Sequence, residues 1–493
     1  MNRAIVTSGL SLLLVALGHA SAMSKFRLPD ILKATRGEPC GFRGEPAFPR
    51  IGIDSRTTQP GELFWALRGE NYDGHDFVRD ATSRGAAARV VSADRYKRRH
   101  RPAIVVPDTL QALWEFAAWH RSQLDAVVIG VTGSFGKTTT REMIHAVLTA
   151  GHTGFRSSKN YNNHVGVPLT LLEMTAAHEF AIVELAASAA GEIRDLAEMA
   201  KPEIGVLTGI GPSHLDGLTD IDGVLSAKSE LLEGLPESGF LVANGDDPFV
   251  RAIAEESPCP VIFVGQTTGN DLVADRVEVG TARVRFRVDD RDYELPAVGR
   301  HHVTDALIAI AIGREIGLSA ERIAGGLATF EPVAGRCRLE NIGPWRVIDD
   351  SYNANPDSMR AACVALRDWP EFGRRILVAG DMKELGDAAA ESHRAIGRFA
   401  AESAIEHVIA YGEFAGPLVA EAKAAGMHAS QLAECDSLDA VLTVLDCWLE
   451  PGDVVLVKGS RALRMERVIE ELKQRTQSNN RENTARPLLR ASA

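Results

Sequence analysis

The sequence predicts an α/β protein of three domains, the central one a parallel sheet flanked by helices, and three observations carry this. First, 493 residues exceed one ordinary core, since about 150 residues per domain is the usual scale. Second, from Asp125 onward the apolar stretches AVVIGV, FAIVEL, IGVLTGI, FLVANG and VIFVG are each followed by a helical pattern, the βα alternation of a parallel sheet. Third, AVVIGV runs straight into the glycine loop TGSFGKT, and KTTTREMIHAVL after it reads as a helix.

In chain order, MNRAIVTSGLSLLLVALGHASA has one Arg, an apolar stretch and a closing Ala-Ser-Ala, and so resembles a secretory signal. It is too short and interrupted for a membrane span. MSKFRLPDILKATRG reads as an ordinary start, so residues 1–22 are expected to be upstream sequence, with Met23 the initiator; a real export signal is the alternative. Residues 23–122 mix strand-like pieces (LFWAL, ARVVSA, AIVVP) with short helices. Residues 123–331 form the central domain, in which 271–295 alternate with period two around a Gly turn and read as antiparallel strands. Helices are expected near 301–316 and 319–329. A second βα series, WRVIDD, RRILVAGD, HVIAYG and DVVLVKGS, makes 332–475 a separate C-terminal domain. The polar, aperiodic residues 476–493 are expected to be a disordered tail.

Hydrophobic content of 45% and charged content of 24% are those of a globular protein. A net charge of -12 argues against a general nucleic-acid binder, which needs a basic surface, but leaves room for an anionic small substrate. The six cysteines are scattered without a C-x-x-C pair, which favours reduced thiols over a disulfide framework or zinc ribbon.

The loop departs from G-x-x-x-x-G-K-[ST], having Val131 where the first glycine would stand. Gly133, Ser134 and Gly136 can still aim backbone N–H groups at phosphate oxygens, reinforced by the N-terminus of the following helix. Lys137 would hold the β- and γ-phosphates, with Thr138 on Mg²⁺ and Thr139 beside it. No N-K-x-D guanine reader occurs, so a GTPase switch is disfavoured. Glu184 and His214 follow carboxyl ends of strands, where open α/β sheets bind ligands, and are candidate Mg²⁺ ligands. Lys228, in SAKSELL, reads by composition alone as a solvated helix lysine.

TGSFGKTTT, NYNNHVGVP, VEL, SHL, AKSE, NGDD, GRHHVTDAL, AGRCRLE and DDSYNANPDSM occur in the order found in the Mur ligases, and the resemblance runs from Met23 to about Lys473. DDSYNANPDSM, VAGDMKELG and VLVKGSRALRME resemble the branch of that family that adds D-alanyl-D-alanine, and the Y-A-H-x-P and G-G-D-R-D motifs of the diaminopimelate- or lysine-adding branch are absent. The resemblance implies an N-terminal mixed α/β UDP-binding domain, a central P-loop ATPase domain and a C-terminal Rossmann-like domain. It implies a cytoplasmic, monomeric enzyme of peptidoglycan precursor synthesis, using ATP and Mg²⁺ to join D-Ala-D-Ala to UDP-MurNAc-tripeptide through an acyl phosphate. Lys137, Glu184, His214 and Lys228 would be catalytic, and Thr138, Glu184, His214 and Lys228 would hold metal, Lys228 as a carbamate. ATP would also meet His301, Asp305, Arg336 and Asp350. Ser55 and Arg56 would face UDP, Asn162 and Asn163 the muramoyl peptide, and Asn353, Asn355, Lys458 and Ser460 the dipeptide; the last four read equally well as turn or cap residues.

Four positions depart from the family. His302 and Asp305 stand in GRHHVTDAL where the pattern G-x-H-N-x-x-N-A has asparagines, Gly209 replaces the asparagine of T-N-I, and Ala186 the glycine of E-[LM]-G. An ionised Asp only accepts, so Asp305 is expected to take the adenine amine while a ring nitrogen finds another donor. Two alternatives stand beside the main reading: a sister ligase adding another amino acid or peptide, and a non-catalytic relative that binds nucleotide or UDP-sugar.

Overall fold

The computed structural model describes residues 26–158 and 160–489. The expectations for residues 1–22 lie outside the described residues. Among the described residues no helix is long and apolar enough to cross a membrane.

Three principal sheets follow one another along the chain. The first has five strands in the order Glu38–Cys40, Ala103–Val106, Ala88–Ser92, Leu63–Trp65 and Ile51–Gly52, parallel except at the Glu38–Cys40 edge. Trp65 anchors it: its indole N–H donates to the Thr109 carbonyl at 2.7 Å while its ring stacks on Phe116.

The central sheet has nine strands. From one edge the order is Gly154–Arg156, Phe180–Glu184, Val127–Thr132, Ile204–Leu207, Phe240–Asn244, Val261–Gly265, Leu272–Val279, Val284–Val288 and Arg291–Leu295. Pairing is parallel as far as Leu272–Val279 and antiparallel beyond, where 271–295 turn back as the period-two pattern requires. Every residue of Val127–Thr132 is buried, which is why the segment reads as an unbroken apolar run: helices cover both faces. Helix Lys137–Leu148 packs against helix His302–Glu315, of which residues 305–313 are all buried.

The third sheet has six strands: Arg338–Ile342, Trp345–Asp350, Val454–Lys458, Arg375–Gly380, His407–Tyr411 and Leu432–Cys435. Only the first pair is antiparallel. Arg338–Ile342 and Leu432–Cys435 are edge strands with polar residues between apolar ones, so a search for apolar runs passes over them. The closing helix runs from Glu466 through Leu489, where the sequence suggested a disordered tail from 476. Val468, Ile469 and Leu472 pack its first turns on the core, and the Glu, Lys, Gln and Arg that follow are good helix formers that let it propagate.

Candidate active site

Strand Val127–Thr132 lies between Ile204–Leu207 and Phe180–Glu184, all parallel, so their carboxyl ends open on one side. The glycine loop leaves that side. Gly133 and Gly136 have φ of 149° and 83°, and a Cβ on Gly133 would stand 2.2 Å from Thr208 Oγ1. The loop is pinned from the adjacent strand end: Ser134 N–H donates to Gly209 O at 2.7 Å, Ser134 Oγ to Gly211 O at 2.8 Å, and Thr208 Oγ1 to Phe135 O. The departure at Gly209 has a local reason. A Cβ there would lie 2.4 Å from the Phe135 ring, so the aromatic residue in this loop requires glycine opposite it.

Helix Lys137–Leu148 starts directly after Gly136. Lys137 Nζ folds back to donate to Gly133 O at 2.6 Å. Burial holds its ammonium below the ordinary lysine value, against the attraction of Glu184 and with the repulsion of Arg336. Thr138 Oγ1 donates to Glu184 Oε2 at 3.0 Å, and Asn162 Nδ2 donates to Glu184 Oε1 at 2.8 Å. Glu184 is 2% exposed and also meets Arg141 Nη1 at 3.2 Å.

His214 has φ 54° at the start of the short helix Leu215–Leu218. Its Nδ1 lies 2.5 Å from Glu384 Oε2, and Leu215 N–H donates to Glu384 O at 2.8 Å, so the third sheet's loops reach this residue directly. Burial holds the imidazole below its usual value despite the opposing pull of Glu384. Lys228 is not the solvated lysine composition suggests. It lies on helix Ile221–Glu233 at 1% exposure, and burial, with Lys137 adding repulsion, pushes its amine down to about 7. Among the described residues no carboxylate lies within ion-pairing distance of it.

A cavity of about 320 Å³ gathers most of the expected groups, though Lys228 is not among its lining residues. Lys137, Thr138, Thr139, Asn162, Asn163, Glu184 and His214 line it from the central sheet's side, and Arg336, Tyr352 and Asn353 from the third sheet's side. The Arg336 guanidinium sits over the Tyr352 ring at 4.2 Å, which aims it, and among the described residues it has no ion-pair partner.

Other expected residues are occupied by the fold. Asp350 accepts from Cys337 N–H at 3.2 Å and from Lys458 Nζ at 2.6 Å, and Lys458, 2% exposed, also donates to Asn353 O. Asn355 caps helix Pro356–Arg367 in a reciprocal box with Ser358, and Ser460 Oγ accepts from Lys383 N–H at 2.8 Å. Asn163 Oδ1 accepts from Gly166 N–H at 2.9 Å. Asp305, expected to accept from adenine, already has both oxygens engaged: its Oδ1 accepts from Thr140 Oγ1 at 2.7 Å and its Oδ2 lies 3.1 Å from His302 Nδ1. His301 packs against Cys337, its Nε2 3.7 Å from Sγ. Ser55 and Arg56 lie apart from the first cavity. They belong to the turn Ser55–Thr57, whose neighbours Asp54 and Thr57 line a second cavity of about 460 Å³ between the first sheet and the central one.

Sequence reading missed Arg141, Tyr352 and Glu384. Arg141 follows Lys137 by four residues and so shares its helix face, a signal that was available. Glu384 lies in VAGDMKELG, but nothing in the sequence pairs it with His214 across 170 residues.

Comparison with known proteins agrees with this architecture. Residues 48–121 match the Mur ligase family catalytic domain, 131–313 the Mur ligase middle domain and 335–461 the Mur ligase glutamate ligase domain. The UDP-N-acetylmuramoyl-tripeptide--D-alanyl-D-alanine ligase of Bacillus subtilis is 34% identical over 428 residues, 86% of this chain and 92% of that protein. The Escherichia coli enzyme of the same name is 34% identical over 435 residues, 86% of this chain and 93% of that protein. Among solved structures, MurF from Acinetobacter baumannii superposes with a TM-score of 0.83 at 30% identity, covering 92% of this chain and all of that one. MurF ligase from Thermotoga maritima in complex with ADP gives 0.75 at 26% identity, over 87% of this chain and 98% of that one. With its three domains matched in order and relatives 34% identical across 86% of its length, the chain belongs to the Mur ligase family.

Proposed function

We propose that this protein joins D-alanyl-D-alanine to the terminal carboxylate of UDP-MurNAc-tripeptide at the expense of ATP, in peptidoglycan precursor synthesis. The observation that carries the proposal is the cavity in which Lys137, Thr138, Glu184 and His214 face Arg336 and Asn353, the last from the DDSYNANPDSM segment that marks the dipeptide-adding branch. The names of the relatives support the same substrates.

A carboxylate resists amine attack because it is anionic and has no good leaving group. Transfer of the γ-phosphoryl group to one carboxylate oxygen removes both obstacles. The dipeptide amine then attacks the carbonyl carbon, loses a proton, and the acyl C–O bond breaks to release phosphate. The chain's part is positioning and charge neutralisation. The loop N–H groups and the helix start at Lys137 receive phosphate oxygens. Lys137 leaves the Gly133 carbonyl for the transferring phosphoryl group, and Arg336, held over Tyr352, meets it from the opposite wall. Asn162 orients Glu184. Adenosine lies toward His301 and the Asp305-braced helix start, and the second cavity beside Ser55 and Arg56 takes the UDP moiety.

The site residues suit Mg²⁺. Thr138 Oγ1 and Glu184 Oε2, 3.0 Å apart, are the neutral and anionic oxygens a hard cation prefers, and His214 has a free lone pair. Lys228 supplies an oxygen only once carbamylated, which its buried amine, brought down to about 7 and so partly uncharged at neutral pH, permits. Thr138 and Glu184 would hold one ion, and Glu184, His214 and carbamylated Lys228 the other; when bound, the metal screens the phosphate charge. One chain supplies every group named, so a monomer suffices, and the need for ATP suits the cytoplasm.

Purified protein with ATP, Mg²⁺, UDP-MurNAc-tripeptide and D-Ala-D-Ala tests the proposal. Phosphate release that requires both acceptor and dipeptide supports it. Release only with another amine indicates a sister ligase, and no release under any pairing a binding protein.

A further inference from the structure

We propose that His301, His302 and Cys337 form a binding site for a borderline-soft divalent transition metal, of which zinc is the commonest, at the seam between the central and C-terminal domains. One ligand atom from each lies within 4.8 Å of the other two. His301 Nε2 and Cys337 Sγ are 3.7 Å apart, close to the N–S edge of about 3.5 Å that zinc–nitrogen and zinc–sulfur bonds make at a tetrahedral angle. The two imidazole rings have centroids 4.0 Å apart.

Three further observations favour a metal over a merely packed trio. His302 Nδ1 lies 3.1 Å from Asp305 Oδ2, the carboxylate–histidine arrangement that fixes the proton on one ring nitrogen and frees the other for a metal. Among the described residues, His301 Nδ1 is buried without a hydrogen-bond partner, so no bond at that nitrogen fixes which of the two presents its lone pair. The surroundings are also anionic: Asp350, held by Lys458 at 2.6 Å, faces the Cys337 sulfur, so an ion would meet Asp305, Asp350 and the thiolate with Lys458 opposite them. On binding, the Cys337 S–H proton passes to solvent and sulfur takes up the metal; nothing is oxidised. His302 and Asp305 are two of the positions where this chain departs from the family pattern, and because adenosine is placed toward His301, an ion here would border the nucleotide. Its nitrogen and sulfur donors select a different ion from the oxygen-rich Thr138–Glu184 centre. Its ligands come from the start of helix His302–Glu315 and from the segment before strand Arg338–Ile342, so a bound ion ties the two domains together.

The test uses untagged full-length protein carrying Cys447→Ser, which removes the exposed thiol. Titration with Co²⁺ in the presence of excess Mg²⁺ should show one equivalent taken up with a thiolate-to-cobalt charge-transfer band. Cys337→Ser should abolish the band, and Asp305→Asn should weaken uptake about 10- to 100-fold. A crystal soaked in Zn²⁺ should give an anomalous peak about 2.0–2.3 Å from the three side chains. Absence of the charge-transfer band in the Cys447→Ser protein, its persistence in Cys337→Ser, or an anomalous peak only at Glu184 and His214 would overturn the proposal. The crystal arm reads the parent protein and decides the matter even if Cys337→Ser fails to fold.

Discussion

Adding one methyl group at residue 209 probes how the glycine loop is held. In Gly209→Ala the new Cβ would stand 2.4 Å from one Phe135 ring carbon and 2.5 Å from another. Ordinary carbon contacts begin at about 3.5 Å, so the ring must withdraw by about 1 Å. Its other side is the phosphate cavity, which Phe135 already lines, and the same residue's carbonyl accepts from Thr208. The ring therefore moves into the space ATP needs, or drags the loop with it. Overpacking of this kind costs about 1–3 kcal/mol, and where half of it falls on nucleotide binding the ratio kcat/KM for ATP drops roughly 3- to 10-fold. Steady-state phosphate release against ATP concentration measures this. Phe135→Ala alone should have a small effect, and Gly209→Ala/Phe135→Ala should recover most of the loss, a coupling of about 0.5–2 kcal/mol across the cycle. Additive effects, or Gly209→Ala with unchanged ATP dependence, would refute the reading that Phe135 and Gly209 are a matched pair.

Lys228→Ala should be nearly inactive and partly rescued by a small added carboxylate; full activity would remove the carbamate from the mechanism. The Lys228 amine sits at about 7 in the folded chain against an ordinary 10.5, so between those values the unfolded chain holds the extra proton and stability rises with pH. In CO₂-free buffer that rise should flatten in Lys228→Met, read from urea midpoints at pH 7 and 9. Arg141→Ala leaves the buried Glu184 carboxylate less compensated and should lower stability by about 3–5 kcal/mol, read from denaturant unfolding of the central domain. Glu384→Gln removes the charge beside His214; thermal stability should change little while kcat falls, and an unchanged kcat would show that the contact does not position the imidazole.

The elements that position the site were legible wherever local pattern and tertiary environment agree. Val127–Thr132 is apolar throughout because it is covered on both faces, and Gly133 and Gly136 announce a turn that other residues would strain. Polar edge strands such as Arg338–Ile342 carry no such signal. Helix Glu466–Leu489 was missed because residues 473–484 carry no apolar periodicity and follow the packed turns before them. Side-chain placement was legible where the sequence is local: Lys137 and Thr138 open the helix that follows the glycine loop. Lys228 looked like a surface residue because its own helix does not reveal what packs over it. The Asp305 contact with His302, three residues away on one helix, was open to reading, whereas its bond from Thr140 forms only when helices Lys137–Leu148 and His302–Glu315 pack together.

The central claim is that ATP activates the tripeptide carboxylate as an acyl phosphate in the cavity between Lys137 and Arg336. Synthesis of UDP-MurNAc-tripeptide with ¹⁸O in its terminal carboxylate, followed by a single round of ligation with D-Ala-D-Ala, reads this directly. The account predicts one labelled oxygen in the released inorganic phosphate and one retained in the new peptide carbonyl. Label in AMP, or phosphate free of label while peptide bond forms, would contradict it.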